Sequence, residues 1–315
     1  GAYGISFLIV MVNAALAGIL FPTFRVTTIY PPPSSFIKSK TPFHLRFLRR
    51  GQEGLEHNIL SKGRLILILI TALLSVSTFA YGHFIISKPI VGDKIRVSLV
   101  QGNIEQRKKW DPRYAMEILQ IYAELTQEAS RTHPALIVWP ETSTPGSISL
   151  DPKLYNEIKE IARKAGESLL VGSAQHRKFE EKDSIEFKYS NSAYLIHPES
   201  IKNQRYDKIC LFPFGEYLPY KEIIPWTFIG VSKSDSFSPG KEFTIFSLNP
   251  FRFGATICWE NVFPNLFRQF VKNGAQFMIN ITNEARFGKT AAPYQLVSIS
   301  VFRAIENRVF VIRCA

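Results

Sequence analysis

From Ala2 to Phe24 the chain carries no charged side chain, and Leu65 to Ser87 is likewise free of Asp, Glu, Lys and Arg. Each run holds about 23 residues, which at ~1.5 Å apiece is enough to cross the hydrocarbon of a bilayer. Either run read alone fits a buried core helix as well. Two of them edged by basic residues predict transmembrane helices over 1–24 and 64–87. The first run has no charged segment ahead of it and so does not read as a signal peptide. Residues 25–63 hold Arg25, Lys38, Lys40, Arg46, Arg49, Arg50 and Lys62 against only Glu53 and Glu56. With Pro31-Pro32-Pro33-Ser34-Ser35 inside it, this stretch reads as an extended basic loop. By the positive-inside rule the loop faces the cytoplasm, which puts residues 88–315 on the opposite side.

After Lys88 the pattern changes to short apolar runs alternating with amphipathic ones. Ile95, Val97 and Leu99 alternate as a strand, Ala135–Trp139 is a buried strand, and Leu169–Gly172, Ala193–Ile196, Phe253–Ile257, Phe277–Ile281 and Val309–Ile312 repeat the signal. Tyr114, Ile118, Tyr122 and Leu125 fall on one face of a helix, as do Leu154, Ile158, Ile161 and Ala165. Further helices are predicted over Val262–Val271 and Tyr294–Asn307. Strands alternating with helices predict an α/β domain. Leu211 to Phe237 fits neither period, because Pro213, Pro219 and Pro225 interrupt a dense set of aromatic and aliphatic residues. We read it as arms dipping into a bilayer surface; packing of these aromatics on the domain core is the rival reading.

The formal net charge of +12 over 315 residues raises nucleic acid as a partner. The basic residues do not alternate with aromatics, however, and many flank apolar runs, so a membrane protein with a basic loop accounts for the excess better. The chain begins at Gly1 without Met and ends on the apolar run VFVIRCA. Both ends read as internal cuts, giving the expectation of a fragment of a larger polytopic protein, truncated at its C-terminus. Cys210, Cys258 and Cys314 are too few for a disulfide framework, and the six histidines are scattered without ligand spacing, so no metal or cofactor is expected.

Three ionisable residues lie at or after strand ends: Glu141 after ALIVWP, Lys208 in YDKICLFPFGEYLP, and Cys258 at the end of FGATI. A lone cysteine is more often a buried structural side chain than a nucleophile. Strand ends of an α/β sheet converge on one crevice, though, and a thiol needs a base to remove its proton and a donor to hold the oxyanion it creates. Glu141 suits the base, while Lys208 and the Trp259 backbone N–H suit the oxyanion. Spacing alone leaves this geometry open.

The set WPE at Trp139–Glu141, YDKICLFPFGEYLP at Tyr206–Pro219 and CWE at Cys258–Glu260 resembles the carbon–nitrogen hydrolase (nitrilase) superfamily. The combination of VQGN at Val100–Asn103, a downstream Trp110, PFGEYLP and preceding membrane helices is most similar to its membrane branch, the apolipoprotein N-acyltransferases. The resemblance implies a nitrilase-like αββα sandwich over 88–315. It also implies Glu141 as general base, Lys208 as oxyanion stabiliser and Cys258 as nucleophile. Glu216 would orient Lys208 or help in proton transfer, an ion-paired structural role being the rival reading, with Trp259 and Glu260 as supporting residues and Trp110, Tyr217, Trp226 and Arg286 as candidate lipid contacts. The implied reaction moves an acyl chain from a glycerophospholipid, typically phosphatidylethanolamine, to Cys258 as a thioester. From there the chain passes to the α-amine of a diacylglyceryl-modified apolipoprotein. The implied location is the bacterial inner membrane, multi-pass, with the catalytic domain in the periplasm. One departure from the family pattern is Arg286 in TNEARFGK, where an aromatic is usual. A membrane-tethered amidase, in which water replaces the amine, and a silent lipid- or lipoprotein-binding paralogue are the alternatives.

Overall fold

The computed structural model describes residues 6–13, 15, 43–89, 92–181, 184–200, 203–220, 223 and 237–315. They fall into two units, Gly1–Gly92 and Asp93–Ala315. In the first unit residues 6–13 are helical, within the predicted span 1–24. The helix α1 runs from Phe43 to Ile86, and its Lys62–Ile86 portion is long and apolar enough to cross a membrane. Its start lies inside the stretch predicted as an extended loop. Pro42 is the last proline before Pro89, so from Phe43 onward every backbone N–H is available to a helix. Residues 25–42, with the triple proline, lie outside the described set.

The second unit is built on two sheets. The first has the order β1 (Val97–Leu99), β2 (Leu136–Val138), β3 (Ser168–Glu181), β4 (Ser184–Ile196), β5 (Gln204–Asp207); β1–β2–β3 pair parallel and β3–β4–β5 antiparallel. The second has the order β6 (Ile245–Leu248), β7 (Phe251–Ile257), β8 (Phe277–Ile281), β9 (Phe310–Cys314), with β6–β7 antiparallel and the rest parallel. Pleat alternation assigns the faces. Ile137, Trp139, Leu169 and Val171 pack with Ile118, Leu119 and Tyr122 of α2 (Ala115–Ser130) and Leu154, Ile158 and Ala162 of α3 (Pro152–Ala165). Leu136, Val138, Leu170 and Leu195 point the other way, into one cluster with Phe253, Ala255, Ile257, Phe277 and Ile279. The helices α4 (Pro264–Lys272) and α5 (Ala292–Asn307) pack on β7 and β9 respectively. The four-layer αββα sandwich expected from the resemblance is the architecture found.

Local chemistry fixes the element ends. The Asp151 carboxylate accepts from the Lys153 and Leu154 N–H groups at 3.0 Å, Pro152 occupies the first turn, and Gly166 closes α3 at φ 71°. These are the N-cap, N1 and C′ positions where Asp, Pro and Gly are each least costly. The β3–β4 hairpin extends well past the predicted Leu169–Gly172 and Ala193–Ile196, pairing out to Glu181↔Ser184. Its distal half, HRKFEEKDSIEFK, is dominated by charged residues, and Phe179, Ile185 and Phe187 are too sparse among them to mark a strand pair. The strands β5 and β6, four residues each, lie outside the predicted set.

Candidate active site

The parallel strands β2 and β7 and the antiparallel edge β5 deliver their next residues to one place. After β2, Trp139 stacks on Tyr122 with ring centroids 4.7 Å apart and its Nε1–H donates to Thr126 Oγ1 at 2.9 Å. That anchors the turn carrying Glu141. The turn crosses β3 at Gly172, where a Cβ would lie 2.3 Å from the Pro140 carbonyl oxygen and 2.7 Å from the Glu141 Cα. Only glycine permits that approach. Glu141 is 4% exposed, and its carboxylate takes two hydrogen bonds: Asn191 Nδ2 donates to Oε1 at 2.8 Å, and the Asn283 backbone N–H donates to Oε2 at 2.8 Å. The Lys109 ammonium donates to the Glu141 carbonyl at 2.9 Å.

Lys208 follows β5 and is 1% exposed. Its ammonium donates to Glu216 Oε1 at 2.8 Å and lies 3.9 Å from Glu141 Oε1. Burial by itself lowers the Lys208 pKa; the charges of Glu141, Glu216 and Cys258 and the Glu216 hydrogen bond together outweigh it, leaving the net shift upward. The side chain is therefore a cation across the physiological range. Glu216 is placed by a tight turn in which its own N–H donates to the Phe212 carbonyl at 2.8 Å and its Oε2 accepts from the Phe212 N–H at 2.7 Å. It also accepts from Asn191 Nδ2 at 3.1 Å.

Cys258 is the first residue after β7, at φ 56°, and opens a 3-10 turn through Val262. A left-handed φ is strained for a residue with a Cβ, by about 1–2 kcal/mol, and here it swings the thiol out of the strand. Burial first, and then the negative charge of Glu141, push the thiol up to about 12; Lys208 and the Thr282 hydroxyl pull the other way. The sulfur is thus protonated at neutral pH, and a base has to remove its proton for it to attack.

Glu260, fully buried, closes the turn from below. It accepts from the N–H groups of Ile209, Cys210 and Ile257 at 2.7, 2.9 and 2.8 Å and from Tyr206 OH at 2.8 and 3.0 Å. Burial raises its pKa to about 7 against the pull of those donors. It ties the Lys208 and Cys258 segments together. Trp259 donates from Nε1 to the Cys210 carbonyl at 3.0 Å and meets Phe212 and Phe263 edge-on.

Two cavities adjoin the group. One of about 260 Å³ is lined by Trp110, Glu141, Glu216, Phe237 and Asn283, and is half polar. The other, about 560 Å³ and mostly apolar, is lined by Cys210, Leu211, Tyr217, Phe237, Trp259 and Phe263. Of the residues singled out in the sequence, Glu141, Lys208, Glu216 and Cys258 share one charged cluster. Trp259 and Glu260 support the turn, and Trp110 and Tyr217 line the two cavities. Trp226 and the Arg286 side chain lie outside the described residues. Asn191, Thr282 and Asn283 were missed. Asn283 and Thr282 stand in the TNEARFGK segment already noted for its arginine, whereas nothing in the sequence around Asn191 marks it.

The sequence model of the carbon-nitrogen hydrolases matches residues 96–315. The chain belongs to that family. It is 36% identical to the apolipoprotein N-acyltransferase of Geobacter metallireducens, over 100% of this chain and 54% of that protein, and 33% identical to that of Chlorobaculum tepidum, over 70% and 45%. The chain therefore spans about half the length of these curated relatives. Among solved structures it resembles Saccharomyces cerevisiae Nit3, a member of branch 10 of the nitrilase superfamily. The TM-score is 0.51 and the identity 22%, covering 72% of this chain and 77% of that one. A carbon-nitrogen hydrolase superfamily protein of Xanthomonas campestris gives a TM-score of 0.51 at 20% identity, covering 70% and 76%. At that identity the solved structures speak for the fold, which is the sandwich described above.

Proposed function

We propose that this chain carries the acyl-transfer centre of a membrane-anchored lipoprotein N-acyltransferase, with Cys258 as nucleophile, Glu141 as general base and Lys208 as oxyanion stabiliser. In the first half-reaction Glu141 takes the Cys258 proton and the thiolate attacks an ester carbonyl of a glycerophospholipid. The negative charge on that oxygen faces the Lys208 ammonium and the Trp259 N–H. The intermediate collapses to a thioester, and the departing lysophospholipid oxygen takes the proton back from Glu141. In the second half the α-amine of a diacylglyceryl-cysteine attacks the thioester. Glu141 accepts the amine proton, the amide forms and the thiol is restored, so the kinetics are ping-pong.

The observation that carries this reading is the buried Lys208 ammonium, held 2.8 Å from Glu216 and 3.9 Å from Glu141 in the same cluster as the Cys258 thiol. A merely structural lysine is seldom buried to this extent between two carboxylates. The apolar cavity beside Trp259 suits an acyl chain. The helix Lys62–Ile86 supplies an anchor, and the basic residues ahead of it favour a cytoplasmic loop and a periplasmic domain. Both curated relatives carry the acyltransferase name.

The test is intact mass spectrometry of the whole protein in detergent with phosphatidylethanolamine. One added acyl mass on the wild type, absent from Cys258→Ala and discharged by a diacylated lipopeptide amine, is the expected result. Discharge by water with no acylated peptide would favour an amidase-like hydrolase, and no adduct with any phospholipid would leave a lipid-binding protein.

A further inference from the structure

Next to Cys258, a chain of polar side chains runs across three neighbouring strands. Thr256, Asn280 and Arg313 are register partners on β7, β8 and β9. All three sit on strand positions between core residues such as Ala255, Ile279 and Ile312. Asn280 is fully buried. Its Nδ2 donates to the Cys258 carbonyl oxygen at 3.1 Å, with Thr256 Oγ1 at 3.1 Å and the Thr256 carbonyl at 3.3 Å also in reach. Its Oδ1 accepts from Arg313 Nη1. Arg313 Nη2 in turn donates to Glu284 Oε1 at 2.7 Å, an ion pair with the arginine 10% exposed. A buried amide and a nearly buried guanidinium in a sheet whose neighbours are apolar need a reason beyond packing.

The peptide plane supplies one. The Cys258 carbonyl and the Trp259 N–H belong to the same trans peptide, so they point in opposite directions and turn together. A hydrogen bond that holds the carbonyl oxygen fixes where the N–H aims. Trp259 lies in the first turn after β7, where backbone donors have no partner within the helix. We infer that Asn280, oriented by Arg313 and Glu284, is the positioning residue for the oxyanion donor at the Cys258–Trp259 peptide. Asn280 touches no reacting atom; it sets the direction of one that does. Glu284 follows Thr282 and Asn283 directly, so the same ion pair also holds the segment whose hydroxyl faces the thiol and whose N–H binds Glu141. This inference rests on Cys258 acting as an acylated nucleophile.

The experiment separates acylation from thiol reactivity in the whole protein in detergent. Acylation is read as the burst with a p-nitrophenyl acyl ester, and thiol reactivity as the rate of Cys258 alkylation by iodoacetamide. Alkylation displaces iodide and builds no oxyanion. Asn280→Asp keeps the size and the acceptor for Arg313 but removes the donor to the Cys258 carbonyl. The expected result is a burst rate lowered ~10–100-fold, somewhat below the loss from deleting a direct oxyanion donor, with KM and the alkylation rate within about threefold of wild type. Arg313→Gln should move the burst in the same direction by less, and Arg313→Lys should recover part of it. A wild-type burst in Asn280→Asp overturns the inference, as does a parallel fall in burst and alkylation, which is what a folding defect would give. Cys258→Ala distinguishes the two layers. A burst that survives there overturns the nucleophile assignment, whereas one lost there but kept in Asn280→Asp overturns the positioning role alone.

Discussion

Replacing Lys208 by Met tests the electrostatic account of the site most directly, since the side chains are similar in length and only the charge is lost. At the effective dielectric of ~20 that suits protein sites, an ammonium 2.8 Å from Glu216 and 3.9 Å from Glu141 gains about 6 and about 4 kcal/mol of Coulomb attraction. Desolvating three buried ions costs several kcal/mol each, so the net contribution of the cluster is small. Removing the cation alone keeps the cost and loses the gain. It leaves two buried carboxylates whose nearest oxygens both accept from Asn191 Nδ2, at 2.8 and 3.1 Å. A loss of ~3–5 kcal/mol is expected. Its pH dependence follows from the sign of the shifts. In the wild type the Lys208 pKa is raised, so its stabilisation is fully present below its ordinary value near 10.5 and disappears only as pH rises through the raised one. This group therefore adds no slope between pH 5 and pH 8. Urea unfolding of the whole protein in detergent at pH 8, followed by tryptophan fluorescence, measures the loss. A deficit below about 1 kcal/mol would refute the reasoning.

Three further outcomes are expected. Gly172→Ala places a Cβ 2.3 Å from the Pro140 carbonyl oxygen; the turn must shift, at about 1–3 kcal/mol, and because Glu141 rides on it the acylation burst should fall at least tenfold, a burst within twofold of wild type counting against the glycine argument. Glu260, raised to about 7 in the fold from an ordinary value near 4.5, binds its proton more tightly folded than unfolded, so stability should decline as pH rises from about 4.5 to about 7 and then level. Glu260→Gln should flatten that segment of the urea midpoint profile, and an unchanged slope would remove Glu260 as its source. The Cys258 thiol, raised to about 12, should react with iodoacetamide far more slowly at pH 8 than the half-buried Cys210; equal rates by peptide mapping would contradict the burial account.

The sequence alone determined the features that rest on local pattern and spacing. Alternation marked β1 and β7, short apolar runs marked the core segments of β2, β8 and β9, and helical periodicity marked α2 and α3. Asp151-Pro152 and Gly166 carry the ends of α3 in their own chemistry. The motifs around Glu141, Lys208 and Cys258 named the charged cluster and, through resemblance, the sandwich that assembles it. Those signals survive translation to a string because each depends on neighbours within a few residues. Tertiary structure decided what depends on partners far along the chain. The donors to Glu141 come from Asn191 and Asn283, separated from it by 50 and 142 positions. Glu260 reads as one more residue beside a nucleophile until Tyr206, Ile209 and Cys210 are seen to converge on it. The distal β3–β4 hairpin is dominated by charged residues in the sequence, so no apolar run announces it. Asn280 and Arg313 are unremarkable letters in two apolar strands; only the parallel register of β7, β8 and β9 turns them into a line of hydrogen bonds ending on the Cys258 carbonyl.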